Sequence, residues 1–165
     1  MKDGDYVAEC MAKKDGIKLV EPSENLCSAY VKMSRESLAS MNANMDAGIK
    51  RWAVVAAYYA RYHALYAIFM KVGIKCEIHT CTLAAARALF GLNPVLAKEI
   101  ENSMKQRINM QYYADRTVSD ANYKKNADSA PGFVIEMEKL SLVLNTDGIE
   151  RIRKNLEKLK RGAEI

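Results

Sequence analysis

The chain has 165 residues, half of them apolar, with 27% charged side chains and a net charge of +5. That length suits one domain with a sizeable core, and the balance excludes an acidic disordered tail, a collagen-like repeat and a small disulfide scaffold. Eight Gly and three Pro are too few to punctuate a sandwich or barrel, which turns about every 8–12 residues, so long helices are expected.

Residues 1–22 read as a polar lead-in with a short helix over Tyr6 to Lys14, ended by Asp15-Gly16. The opening Met1-Lys2-Asp3-Gly4-Asp5 has no apolar core of a signal peptide. Ser23 is placed to cap a longer helix, with Pro22 just outside it. Leu26, Tyr30, Met33, Leu38, Met41 and Met45 are expected to form its apolar side. Gly48 breaks or bends the chain after it.

The segment from Ile49 to Val72 carries the clearest pattern. Trp52, Val55, Tyr59, Tyr62, Tyr66 and Phe69 recur at steps of three and four, a single stripe of large residues on a helix. Ala53, Ala57, Ala60, Ala64 and Ala67 follow the same rhythm on the opposite side. A helix apolar on two sides belongs at the centre of a bundle or at a subunit interface. Its run from Trp52 to Met70 is about as long as a membrane span, but Arg61 stands at its middle and the tyrosines crowd its interior. The segment therefore reads as a buried helix of a protein that does not enter the membrane. Gly73 ends it.

A shorter helix is expected over Thr80 to Phe90, closed by Gly91. Asn93-Pro94 restarts the chain, and that helix runs to about Tyr113. Ser119 or Asp120 caps the next helix, which Pro131-Gly132 either kinks or splits. Val134, Met137, Leu140, Val143 and Leu144 form its core face. Asp147-Gly148 opens a last, basic helix with a narrow stripe of Ile149, Ile152, Leu156 and Leu159. Residues 23–146 thus read as an all-α, up-and-down bundle of four to five helices. Residues 1–22 precede it, and residues 147–165 add an extra C-terminal helix that packs on or extends it.

Charge is unevenly placed. Residues 50–90 hold six basic and one acidic side chain, a balance of +5, against −2 for residues 1–49. Such a cluster is either a set of solvated helix faces or an attraction to phosphate or an acidic partner. The four cysteines show no paired spacing: Cys10 and Cys27 stand apart, and Cys76 and Cys81 read as loop or core thiols. The expected compartment is the cytoplasm, with reduced thiols. Cys76-Glu77-Ile78-His79-Thr80-Cys81 offers zinc-type donors, yet without knuckle spacing or a second ligand pair, so no metal is expected. Phosphate loops, H-E-x-x-H and G-x-S-x-G are absent, and no cofactor is implied.

Arg61 and His63 lie two positions apart on the central helix and point to different sides. Buried Arg61 needs a carboxylate or a phosphate. Gln106-Arg107 through Tyr112-Tyr113 to Asp115-Arg116 gathers two arginines and paired tyrosines at a helix end. Arginine grips phosphate with a planar fork, and tyrosine stacks on a base. The alternative for this stretch is a packed helix end with an Arg107–Asp115 or Arg116–Asp120 ion pair.

Ala57-Tyr58-Tyr59-Ala60-Arg61-Tyr62-His63-Ala64-Leu65 resembles the "aaYYa-x-fHAa" helix of HEPN-domain proteins (higher eukaryotes and prokaryotes nucleotide-binding). Gly73 followed by His79 is similar to the family's "G…H" stretch, and Arg107 with Tyr112 resembles the "R-x-x-A-D-Y" turn of a prokaryotic branch. The likeness spans roughly Leu26 to Leu144. It implies a helical bundle that pairs into a symmetric dimer. It also implies either a metal-independent ribonuclease or the partner of a small nucleotidyltransferase in a toxin–antitoxin-like pair. The family's catalytic signature is Arg, four to six residues, then His. Here Tyr112 and Tyr113 stand where that His would follow Arg107, and an ordinary phenol is a poor base at neutral pH.

The resemblance therefore implies a dimeric binding module that holds nucleotide or RNA phosphate through Arg61, His63, Arg107, Tyr112 and Arg116. The alternative is a divergent ribonuclease in which Arg107 grips phosphate and Tyr112 or His79 moves the proton.

Overall fold

The structure, a computed structural model, describes residues 3–162. The elements are α1 (Asp3–Ala12), β1 (Lys18–Leu19), α2 (Glu24–Asp46), α3 (Lys50–Val72), β2 (Ile74–Lys75), α4 (His79–Phe90), α5 (Pro94–Tyr112), α6 (Asp120–Val143) and α7 (Thr146–Gly162). This is an all-α bundle. Its only sheet among the described residues is the antiparallel pair β1–β2, with Lys18 opposite Lys75 and Leu19 opposite Ile74.

α3 is the axis. It packs along α2 and also against α5, α6 and α7. Its alanine stripe is buried within this one chain, and so is the large stripe from Val55 to Phe69 apart from half-buried Tyr59, while Trp52 is 51% exposed. Tyr58, Leu65, Ile68 and Phe69 enter the principal core, and Ala53, Ala56 and Ala57 meet Met41 of α2 and Ala127 and Ala130 of α6. The small side chains bring the α2 and α6 backbones close, which is why α3 is enclosed along most of its length. Of the two settings for such a helix, the centre of a bundle is the one seen. No helix among the described residues is long and apolar enough to cross a membrane.

Local chemistry sets the helix ends. Ser23 Oγ accepts from the Leu26 amide at 3.2 Å, Asn93 Oδ1 from Val95 at 2.8 Å, and Ser119 Oγ from Asn122 at 3.3 Å. Gly73 closes α3 in the left-handed conformation, φ 76°. A Cβ there would run into the Val20 carbonyl and the Pro22 nitrogen, so both backbone angle and space require glycine. α6 continues through Pro131; the helix is not split, although the Ala127 carbonyl loses its usual donor.

Three expectations change. α2 turns inward through Cys27, Ser34 and Met41, a seven-residue spacing, while Leu26 and Met33 remain 49% and 41% exposed. Met41, with Tyr30, Leu38 and Met45, packs inward as expected, so the difference is confined to Leu26 and Met33. The lead-in supplies Val7, Cys10 and Ile17 to the principal core, and α1 packs on α4 and α7.

The cysteines are the third correction. Cys10 and Cys81 form a disulfide, with Cα atoms 5.7 Å apart, and only Cys27 and Cys76 are free thiols. The fold brings together two residues 71 positions apart, which no local spacing could reveal. Disulfides persist in oxidising compartments, so the cysteines lend no support to a reducing one.

Candidate functional site

The charge-rich stretch of residues 50–90 is largely committed to the fold. Lys50 pairs with Asp120, Arg61 with Glu99, Lys71 with Glu24, Lys75 with Glu77 and Arg87 with Glu101. Arg51 donates to the carbonyls of Met110, Tyr113, Ala114 and Arg116 and so ties down the turn between α5 and α6. Sequence reading missed this role, because carbonyl acceptors at a helix end carry no residue signature.

Arg61 is fully buried. Its Nε donates to Glu99 at 2.9 Å, Nη1 to Ala57 O, Ser103 Oγ and Asn126 Oδ1, and Nη2 to Asn126 O and Ser129 Oγ. All five N–H groups are taken. Burial pulls its pKa down, and the Glu99 carboxylate acts in the opposite direction. Arg61 thus joins α3 to α5 and α6, and no N–H is left for a phosphate. Arg116 lies over the Tyr113 ring at 3.8 Å and donates to Asn109. Neither the Arg107–Asp115 nor the Arg116–Asp120 pair forms; Asp120 is held by Lys50 instead.

Arg107, Tyr112, His63 and His79 do come together, around the tyrosines of α3. The Arg107 guanidinium lies 5.3 Å from the ring centres of Tyr59 and Tyr112 and 5.7 Å from that of Tyr58. Nη2 donates to Tyr59 Oη at 2.7 Å. Its Nε is buried without a protein partner, and no carboxylate neutralises it. The π faces favour the cation without consuming its N–H donors, so Arg107 remains able to bind an anion. Tyr112 is 63% exposed and forms the open wall.

His79, the first residue of α4, stacks on Tyr62 with ring centres 4.2 Å apart, and its Nδ1 meets the hydroxyl of Tyr58. Burial raises the Tyr58 pKa, so that phenol stays protonated beside Nδ1. On the α2 side, His63 Nδ1 lies 3.2 Å from Ser37 Oγ. The Ser37 hydroxyl donates to the Met33 carbonyl at 2.8 Å, so His63 Nδ1 is the donor and Nε2 keeps its lone pair. Tyr58, Tyr59 and Tyr62, read from the sequence as packing stripe and family-like motif, are the frame of this cluster.

Burial lowers the pKa of both histidines, and Arg107 and His63 lower that of His79 further. Their folded values therefore lie below the unfolded value of about 6.5. As pH falls through that value the unfolded chain takes up more protons than the folded one, so stability declines. Thermal unfolding followed against pH should show a melting temperature that drops below about pH 6.5. Replacing both residues (His63→Gln with His79→Gln) should flatten that limb, and an unchanged limb would refute the assignment.

The Cys76–Cys81 segment gathers no ligand set, since Cys81 is bonded to Cys10; among the described residues no group of three or more His, Cys, Asp or Glu could hold a metal ion. A search of protein-family models finds no match to the chain, and a search of curated proteins finds none.

Proposed function

We propose that the protein is a HEPN-like, dimeric binding module that holds the phosphate of a nucleotide or RNA at Arg107, as partner of a small nucleotidyltransferase. The observation that carries the reading is Arg107 itself. It is a cation framed by Tyr58, Tyr59 and Tyr112, hydrogen-bonded to one phenol and free of any carboxylate. A phosphate would complete its fork, and exposed Tyr112 would stack on a base. The family-like Tyr58-Tyr59 and His63 sit at the same place. Trp52, 51% exposed, lines with Ser37, Ser40, Asn44, Tyr59 and His63 a groove between α2 and α3, a surface over which two copies would meet.

Fluorescence anisotropy with a labelled single-stranded oligoribonucleotide tests the phosphate role. Arg107→Ala should weaken binding about tenfold or more, the loss of a charge-assisted contact; equal binding by both proteins would refute the site. Light scattering and co-purification with the neighbouring gene product test the rest. A monomer that retains no such partner would defeat the dimeric partner role.

His63 Nε2, left with its lone pair by the Ser37 contact, favours a second reading, a divergent ribonuclease. His63 would take the ribose-hydroxyl proton and return it to the leaving oxygen, and Arg107 would hold the developing charge. Cleavage of mixed RNA that disappears in both His63→Gln and Arg107→Ala is its expected result. Intact RNA after incubation with the native protein would rule it out.

A further inference from the structure

α5 and α6 both pack on α3 and have little contact with each other. They leave a groove of about 830 Å³ between them, within the size range of small-molecule sites. Its floor is the Arg61–Glu99–Asn126 network, and Lys98 and Lys105 of α5 and Lys125 of α6 line it together with Asn102 and Asn122.

Two observations separate this groove from a packing gap. Nearly every cation of residues 50–90 has a carboxylate partner, yet among the described residues Lys98, Lys105 and Lys125 have neither an ion pair nor a side-chain hydrogen bond. In addition, both contacts of Arg61 with Glu99 fall on Oε1, so Oε2 has no protein donor. The groove thus presents three unneutralised ammonium groups, two free amides and one carboxylate oxygen over a structured polar floor.

We infer that this groove is a second ligand site, distinct from Arg107, for a phosphorylated nucleoside. The lysines would hold the phosphate. Glu99 Oε2 would accept from a ribose hydroxyl, and Asn102 and Asn122, each both donor and acceptor, would meet the base edge. Arg61 serves here as a positioning residue, because it fixes Glu99 and Asn126 and has no N–H to offer.

Isothermal titration of the full chain with adenosine monophosphate at low salt tests this, with inorganic phosphate, adenosine and poly-glutamate as comparisons. The nucleotide should bind at least about tenfold more tightly than phosphate or adenosine alone, and the paired reversals Lys98→Glu and Lys125→Glu should weaken it by about tenfold or more. In Arg107→Ala, which lacks the proposed phosphate contact at Arg107, the lysine-dependent binding of the nucleotide should stay within about twofold, which separates this site from the one at Arg107. Nucleotide binding that is absent, insensitive to the lysine reversals or lost on Arg107→Ala overturns the inference. Displacement by poly-glutamate as effective as by the nucleotide overturns it too, since the groove would then read charge alone.

Discussion

Arg61→Ala is expected to destabilise the protein by about 3–5 kcal/mol, the range for removing one partner of a buried ion pair. The cost comes from what remains. Glu99 loses its counter-ion, and the Asn126 side chain and carbonyl, Ser103 and Ser129 lose donors inside a packed interface. Because these acceptors lie on α5 and α6, the loss weakens the attachment of both helices to α3. Arg61→Lys should recover only part of it, since one ammonium cannot reach acceptors spread around a planar fork. Against a typical total of about 5–15 kcal/mol, the alanine variant should show a markedly lower urea midpoint. A loss below about 1 kcal/mol, no more than an exposed pair contributes, would show that Arg61 does not hold the bundle together.

The second large effect belongs to the Cys10–Cys81 bond, which joins residues 71 positions apart. A loop of that size restricts the unfolded chain by about 4 kcal/mol on the chain-entropy view. Removing the bond with Cys10→Ser and Cys81→Ser should lower the melting temperature by about 10 °C for a chain of this length. The weakened region should be α1, which rests on α4 and α7, and the first turn of α4, which carries both Cys81 and His79. Equal melting temperatures for the oxidised native protein and the double-serine variant would contradict this. The prediction also concerns the site, because loosening the first turn of α4 should disturb the Tyr58–His79 hydrogen bond before the rest of the bundle unfolds.

Much of the fold is legible in the residues because its causes are local. Caps at Ser23, Asn93 and Ser119, the glycine stops at Gly73 and Gly91, and the two stripes of α3 each follow from chemistry within a few positions. What escaped was non-local. Nothing near Cys10 announces Cys81, and nothing near Arg51 announces four carbonyls at the far end of α5. The expected apolar side of α2 holds for Tyr30, Leu38, Met41 and Met45, while the turn of the helix that buries Cys27 and Ser34 and leaves Leu26 and Met33 exposed depends on its neighbours. For the candidate site, Arg107, Tyr112, His63 and His79 are visible in the sequence as residues of suitable chemistry. Their convergence is not, since it depends on how α2, α4 and α5 lie along α3. Arg61 shows the converse: the sequence asks for a carboxylate or a phosphate, and only the surrounding helices single out Glu99.

The proposed phosphate-binding cluster of Arg107 and the histidines beside it is tested most directly at the imidazoles. The chain has only two histidines, so its imidazole nitrogens give a simple NMR spectrum in nitrogen-15-labelled protein. On adding a single-stranded oligoribonucleotide, the His79 resonances should shift in the native protein and stay in place in Arg107→Ala. Unmoved His79 resonances in the native protein at saturating oligonucleotide, or the same shifts in both proteins, would contradict the account.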